Sequence, residues 1–376
     1  MKKYSKYSIL NKPFLPIEKI FEREFIPLSM SEYLLEHEIT AFFGNVSNEV
    51  GRSIVENEIG FPIGVYYIEN ICITFDGCLF TDNALLSSDS LNFRESSREV
   101  LSHFLKDELT EVYVENTCVL LYGPGWTTWG HWIIEFLTRV YIIYRMGFDK
   151  NNIKWIIPSD CPDFAIKIIN MVGIKDINLI LFDHTNTILR CKSIIIPTNL
   201  TCGMSCHPLM SEYISWIKNI LGCVVSPDPS LRLYLSRQKL ATSRRVSNAE
   251  EVENIIKNNG YRVVYPESLS VSDQIHLYSK SISIFSEYGS ASHNSIFASP
   301  QTFIGCLRDN KRSVGFVQSA LCKAAGQKMC YIFGDHNYTN NNSEYTINPI
   351  DLKASLNFAQ NKIIRSLLNV DRSKNP

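Results

Sequence analysis

In the first half of the chain the apolar positions gather in long runs. Residues 65–75 and 112–122 are rich in β-branched and aromatic side chains and read as strands. The second run ends at Gly123-Pro124-Gly125, and a strongly apolar helix is predicted from Trp129 to Met146, stopped by Gly147. Beyond it the pattern gives a strand at 153–157, a helix at 163–172, strands at 178–182 and 193–197, and a helix at 208–221. The first 60 residues read as irregular, with short helical pieces around 29–38.

The segment 225–230 holds Pro227 and Pro229 among polar residues and reads as a hinge, because proline continues neither a helix nor a central strand. After it strands and helices alternate. Strands are expected at 231–236, 261–265, 282–286, 302–307 and 329–333, with helices at 248–258, 271–279, 290–298 and 314–325. That rhythm indicates a parallel sheet covered on both faces. The expected class is α/β, with two such domains facing across a cleft and ligands at the carboxyl ends of the strands. Residues 1–224 would form the first domain and 225–345 the second, while 346–376 carry a last helix that packs back across the molecule.

Composition supports two folded domains. At roughly 100–200 residues per domain, 376 residues suffice for two, and a 45% hydrophobic content supplies their cores. Lys+Arg 37 against Asp+Glu 38 leaves a net charge of −1, so the global basic field of a nucleic-acid binder is absent. No run approaches the ~18 apolar residues of a membrane span, and the basic start has no apolar segment behind it, so a cytoplasmic protein is expected. Lys2, Lys3, Lys6 and Lys12 suit either a disordered basic tail or contact with the anionic inner face of a membrane. Of the 11 cysteines, most sit in apolar segments as small hydrophobes. Cys202, Cys206 and His207 are the one cluster with metal-ligand character. Further ligands are not visible, so no metal site is expected and the cluster reads as a loop entering a helix.

Three groups of residues carry candidate chemistry. His131, Glu135 and Arg139 recur every four residues and share one face of an otherwise apolar helix. They are either a Glu135–Arg139 pair beside a hydrogen-bonded histidine, or a cleft-facing stripe in which His131 or Glu135 is a general base. Arg237, Arg244 and Arg245 lie at the carboxyl edge of a strand and suit a phosphate or diphosphate, with a solvated basic loop as the alternative. Glu287, Gly289, Ser290, His293 and Asn294 follow a strand through a glycine turn into a helix start, where free backbone N–H groups bind anions. Glu287, at its strand end, either accepts hydrogen bonds from hydroxyl groups of a ligand or merely precedes the turn.

The ordered series Tyr234-Leu235-Ser236-Arg237, Arg244-Arg245, Asn248, Glu250-Glu251-Val252, Tyr265-Pro266-Glu267, Gln274, Glu287, Gly289-Ser290, His293-Asn294 and Phe297 resembles glycosyltransferase family 61. Gly130-His131-Trp132 with Glu135 and Arg139 is similar to that family's amino-terminal signature. Ala249 and Tyr288 depart from eukaryotic members and favour the bacterial, capsular-polysaccharide branch. The resemblance implies a GT-B architecture of two Rossmann-like domains, and inverting transfer of a sugar from a nucleotide-diphosphate sugar to a hydroxyl of a surface glycan or glycolipid. It implies donor binding by Arg237, Arg244, Arg245, Pro266, Glu267, Gln274, Glu287, Gly289, Ser290, His293 and Asn294. No cofactor is implied, and no metal is required. A nucleotide-sugar epimerase, a phosphorylase and a non-catalytic glycan-assembly subunit are the rival readings on the same architecture.

Overall fold

The computed structural model describes all residues except 1, 56–58, 150–151, 225, 241–244, 314, 338–343 and 375–376, and leaves aside the side chains of residues 55 and 367–374. The chain divides into two compact units: Met1–Tyr33 with Gly60–Cys202, and Leu34–Ile59 with Gly203–Pro376. The division falls before helix Leu209–Ile220 rather than after it, and a piece of the amino-terminal region joins the second unit.

The first unit is built on a ten-stranded mixed sheet. Its parallel part runs in the order Leu179–Phe182, Lys154–Pro158, Glu108–Leu120, Thr187–Pro197. The chain starts this part at Glu108–Leu120, steps outward through two neighbours, then returns to the other side. The strand order therefore reverses between Glu108–Leu120 and Thr187–Pro197. Ile63–Ile73 pairs antiparallel with Thr187–Pro197, so the sheet continues as a meander rather than as a second Rossmann half.

The helix after Glu108–Leu120 holds this reversal point together. Arg139 has no exposed surface. Its Nη1 donates to the carbonyls of Leu120 (3.2 Å) and Tyr122 (2.7 Å) at the end of one strand. Its Nε and Nη2 donate to Asn199 Oδ1 (3.3 and 3.2 Å) beyond the end of the other. Burial pulls this guanidinium down to about 10, against the opposing charge of Glu135.

The second unit carries a seven-stranded sheet in the order Arg262–Val264, Asp228–Leu235, Ser281–Glu287, Phe303–Asp309, Lys328–His336, Tyr345–Thr346, with Ala41–Phe43 also on Lys328–His336. All pairs are parallel except the one with Tyr345–Thr346. The five central strands thus follow the order 2-1-3-4-5 in chain order. Their side chains alternate between two layers. Leu233, Leu235, Ile304, Cys306, Met329 and Tyr331 bury on one, and Tyr234, Phe303, Leu307, Cys330 and Ile332 on the other. Burial on both faces is why these strands read as nearly continuous apolar runs. Leu352, Leu356, Ala359 and Ile363 of the final helix, Pro349–Lys374, recur at helical spacing and pack within this same unit.

Several expectations are corrected. Of the proline segment, residue 225 lies outside the described residues, and the rest is not all linker, since Asp228 begins strand Asp228–Leu235 and its N–H donates to Lys280 O (2.7 Å). The ladder lapses between Asp228 and Arg232, around Pro229, which has no N–H to give. The helix expected near 29–38 is absent. Phe25–Ser29 pairs with Ile63–Ile73, and the amides of Leu35, Glu38 and Thr40 donate to carbonyls of Cys206, Ser319 and Met329. Long-range partners have taken the bonds a local helix would have used. The amino terminus is a strand and a helix, Lys3–Ser5 and Lys6–Leu10, with Lys3 on Glu108 and Lys6 on Asp107, rather than a disordered tail. No helix among the described residues is long and apolar enough to cross a membrane.

The Arg139 clamp yields a stability prediction. Replacing it by Met keeps volume but leaves the Leu120 and Tyr122 carbonyls without their donor, which costs about 1–3 kcal/mol for each buried group left unsatisfied. Denaturant unfolding of Arg139→Met is expected to show that loss; an unchanged midpoint would remove the clamp from the account.

Candidate functional site

In the first unit the candidate chemistry sits on an irregular helix. The chain is α-helical over Trp129–His131, widens to a π-helix over Trp132–Phe136, and returns to α-helix over Leu137–Arg145. Such single-turn widenings recur at functional sites. Thr138 Oγ1 donates to the carbonyl of Glu135 inside this segment. Of the two sequence alternatives for the stripe, the Glu135–Arg139 pair is not formed. Glu135 instead meets His131, with Nδ1 to Oε2 at 3.0 Å, and Arg139 serves the strand ends.

The pair is asymmetric. The His131 side chain is 39% exposed and that of Glu135 10%. Burial alone lowers the imidazole pKa, but the hydrogen bond and charge of Glu135 together outweigh it and raise it above the ordinary value. Gly125, at φ +86°, lies against the imidazole. A Cβ there would come within 2.6–2.8 Å of the ring, so only glycine lets the loop approach so closely. Asn92 completes the group. It adopts a left-handed conformation (φ 60°, ψ 28°) after the turn Asp89–Leu91 and directs Nδ2 at Glu135 Oε2 from 3.5 Å. The sequence offered no signal for Asn92, because only long-range pairing brings its turn to the helix.

In the second unit the candidate residues gather where the strand order reverses, between Asp228–Leu235 and Ser281–Glu287. Open parallel sheets bind ligands outside the carboxyl ends of their strands at this point. Glu287 is buried, and its oxygens accept from the N–H of Arg237 (3.1 Å), the hydroxyl of Tyr234 (3.3 Å) and Nε2 of Gln238 (3.3 and 3.4 Å). These contacts tie it to the Arg237 loop. Arg237 is itself buried, and its guanidinium lies on Gly289; a Cβ there would stand 1.8 Å from Nη1. The helix start beyond is a 3₁₀ helix, Ser290–Phe297, in which Ser292 Oγ accepts from the N–H of Gly289 and donates to its carbonyl.

The other predicted residues fall into two sets. Gln274 donates to Pro266 O (3.0 Å) and accepts from Asn294 (3.2 Å), while His293 Nδ1 meets Gln318 Oε1 (3.0 Å), so these buried groups tie the helix start to neighbouring segments. Arg245 donates to the carbonyl of Leu240 (2.6 Å), Glu267 is exposed, and Ser290 is half-buried at the helix start. Arg244 lies outside the described residues. The sequence reading missed Asp309 and His336 at the ends of two further strands, joined at 2.6 Å.

Among the described residues no three or more His, Cys, Asp and Glu side chains gather as a metal site. Cys206 is buried in apolar surroundings that push its thiol up, and His207 Nδ1 accepts from the N–H of Leu209 at the start of helix Leu209–Ile220.

Glu287 gives a pH prediction. Burial is the largest influence and raises its pKa, opposed by the Arg237 N–H, Gln238, the Arg237 charge and Tyr234. A carboxyl raised in the folded state favours folding fully below its unfolded pKa and loses that contribution as pH rises through the folded one. Melting temperatures should therefore fall more for wild type than for Glu287→Gln as pH climbs from 4.5. Parallel curves would mean the carboxyl is not perturbed.

No curated protein matches this chain. A family model described as Glycosyltransferase 61 matches residues 129–305, a stretch that begins at the His131 helix and runs through both constellations. That family's activity is glycosyl transfer, from a sugar donor to a glycan acceptor. Residues 129–305 are thus similar to glycosyltransferase family 61.

Proposed function

We propose that the protein is an inverting glycosyltransferase of the GT-B class, moving a sugar from a nucleoside-diphosphate sugar to a hydroxyl of a growing surface glycan. The observation that carries the donor reading is the Arg237 guanidinium laid on Gly289 at the reversal point of the second unit, beside the helix start at Ser290. A guanidinium and free backbone N–H groups in one crevice suit two linked phosphates. The surface-glycan acceptor rests on the resemblance to bacterial members.

The chemistry follows from charge. As the acceptor oxygen bonds to the anomeric carbon, the bond to the diphosphate breaks and its electron pair leaves with the phosphate oxygen. Arg237 and the helix start stabilise that charge. The acceptor proton goes to His131. With Nδ1–H donated to Glu135, Nε2 keeps its lone pair, and the raised pKa makes it the stronger base. The greater exposure of His131 supports it as the group that meets the acceptor, with Glu135 fixing the tautomer.

Two expected outcomes test this. Calorimetry with uridine, cytidine and guanosine diphosphates should find one that binds, and Arg237→Ala should weaken it by about 1.5–3 kcal/mol; undiminished affinity would take Arg237 out of the donor site. With that donor, His131→Ala should lower kcat by about 10²–10⁴-fold while the nucleotide still binds. Turnover needs the neutral imidazole, so kcat should rise with pH through the raised His131 pKa. Glu135→Gln removes the charge that raises it and should move the acidic limb to lower pH. Near-normal turnover in His131→Ala would overturn the base assignment.

A further inference from the structure

Asp76 is a half-buried acid of the first unit that the proposed chemistry does not use. It lies in the tight turn Phe75–Gly77 that follows strand Ile63–Ile73, in a left-handed conformation (φ 57°, ψ 17°) that carries strain for any residue with a Cβ. Burial raises its carboxyl to about 6, opposed by a hydrogen bond from Trp126. Its N–H donates to Nδ1 of His184 (3.4 Å), whose Nε2 faces Asp160 at 3.5 Å. The turn backs onto the end of strand Glu108–Leu120, where Gly77 lies close to the Tyr122 carbonyl and the Tyr122 hydroxyl reaches Thr74 O at 3.5 Å.

Contacts lead from this carboxylate to the imidazole. Asp76 Oδ1 accepts from the indole N–H of Trp126 at 2.9 Å. The carbonyl of Trp126 accepts from the indole N–H of Trp132 at 2.5 Å, and Trp132 begins the π-helical turn next to His131. Between these anchors the loop folds on itself, with Trp126 N–H to Gly123 O and Thr128 N–H to Gly125 O, and presents Gly125 against the His131 ring. Asp76 thus bonds the indole of the loop that lies over the imidazole.

We propose that Asp76 is a positioning residue, holding the Gly123–Thr128 loop through Trp126 so that Gly125 keeps the His131 imidazole against Glu135. The role rests on His131 as the base, since a loop that orients an unused histidine would have no catalytic consequence. The strain at Asp76 has a purpose in this arrangement, because the left-handed turn aims a carboxylate, rather than a backbone carbonyl, at the indole.

The test needs no substrate. The His131 ring resonance, assigned by its absence in His131→Ala, is titrated by NMR in the wild type and three variants. Asp76→Gly removes the carboxylate and relaxes the turn's strain. Asp76→Asn keeps an oxygen for the indole N–H, and Trp126→Phe removes the donor from the other side. The wild-type midpoint should lie above 6.5. It should fall toward 6.5 in Asp76→Gly and Trp126→Phe, as loop cover and the Glu135 contact loosen together, and stay near wild type in Asp76→Asn. A folded Asp76→Gly with the wild-type midpoint overturns the proposal, as does an Asp76→Asn shifted as far as Asp76→Gly. If Asp76→Gly does not fold, Trp126→Phe decides alone. Turnover of His131→Ala tests the base assignment separately, so failure of that assignment and failure of the positioning role are distinguishable.

Discussion

A guanidinium with no exposed surface, Arg139, is the constraint on which the first unit depends. Charge in an apolar interior is tolerated only when every donor finds an acceptor, and Arg139 finds them on the ends of two parallel strands that are not consecutive in the chain. Satisfying one side chain therefore fixes the place where the strand order reverses. It also fixes the helix that carries His131 and Glu135. The pair forms because Arg139, four residues on, is occupied elsewhere and leaves Glu135 to the imidazole.

The second unit solves the same problem with the opposite sign. Glu287 is a buried carboxylate at the reversal point, and it collects donors from the loop after the first strand. Its work is to order that loop, which lays Arg237 on Gly289. In each unit a buried charged side chain holds the local geometry through hydrogen bonds to backbone or loop groups. Gln274, His293 and Asn294 likewise make hydrogen bonds between the helix start and its neighbours.

Several irregular features lie near His131. It adjoins a π-helical turn, Gly125 at positive φ lies against its ring, left-handed Asn92 reaches Glu135, and left-handed Asp76 is linked to it through Trp126 and Trp132. Each departs from the lowest local energy, and each is held by contacts from segments far away in sequence. Strained backbone that the surrounding structure over-determines is the usual condition of a pre-organised site.

The sequence by itself determined the parallel second sheet, since strands buried on both faces must be apolar throughout and the helices between them must be amphipathic. It also determined the helix of His131, Glu135 and Arg139 and the order of motifs that mark the family. Tertiary structure decided what those charges do. Spacing puts three ionisable groups on one face and is indifferent to which pair forms; the choice came from carbonyls at two strand ends. Asn92 and Asp76 were invisible because an asparagine or aspartate in a turn is locally unremarked, and only antiparallel pairing along Ile63–Ile73 and its neighbours carries those turns toward the helix. The segment 225–230 was misread for the same reason, its prolines being judged by local propensity. Whether such a segment is linker or strand depends on whether the adjacent strand offers partners, and Ser281–Glu287 with the residue before it does.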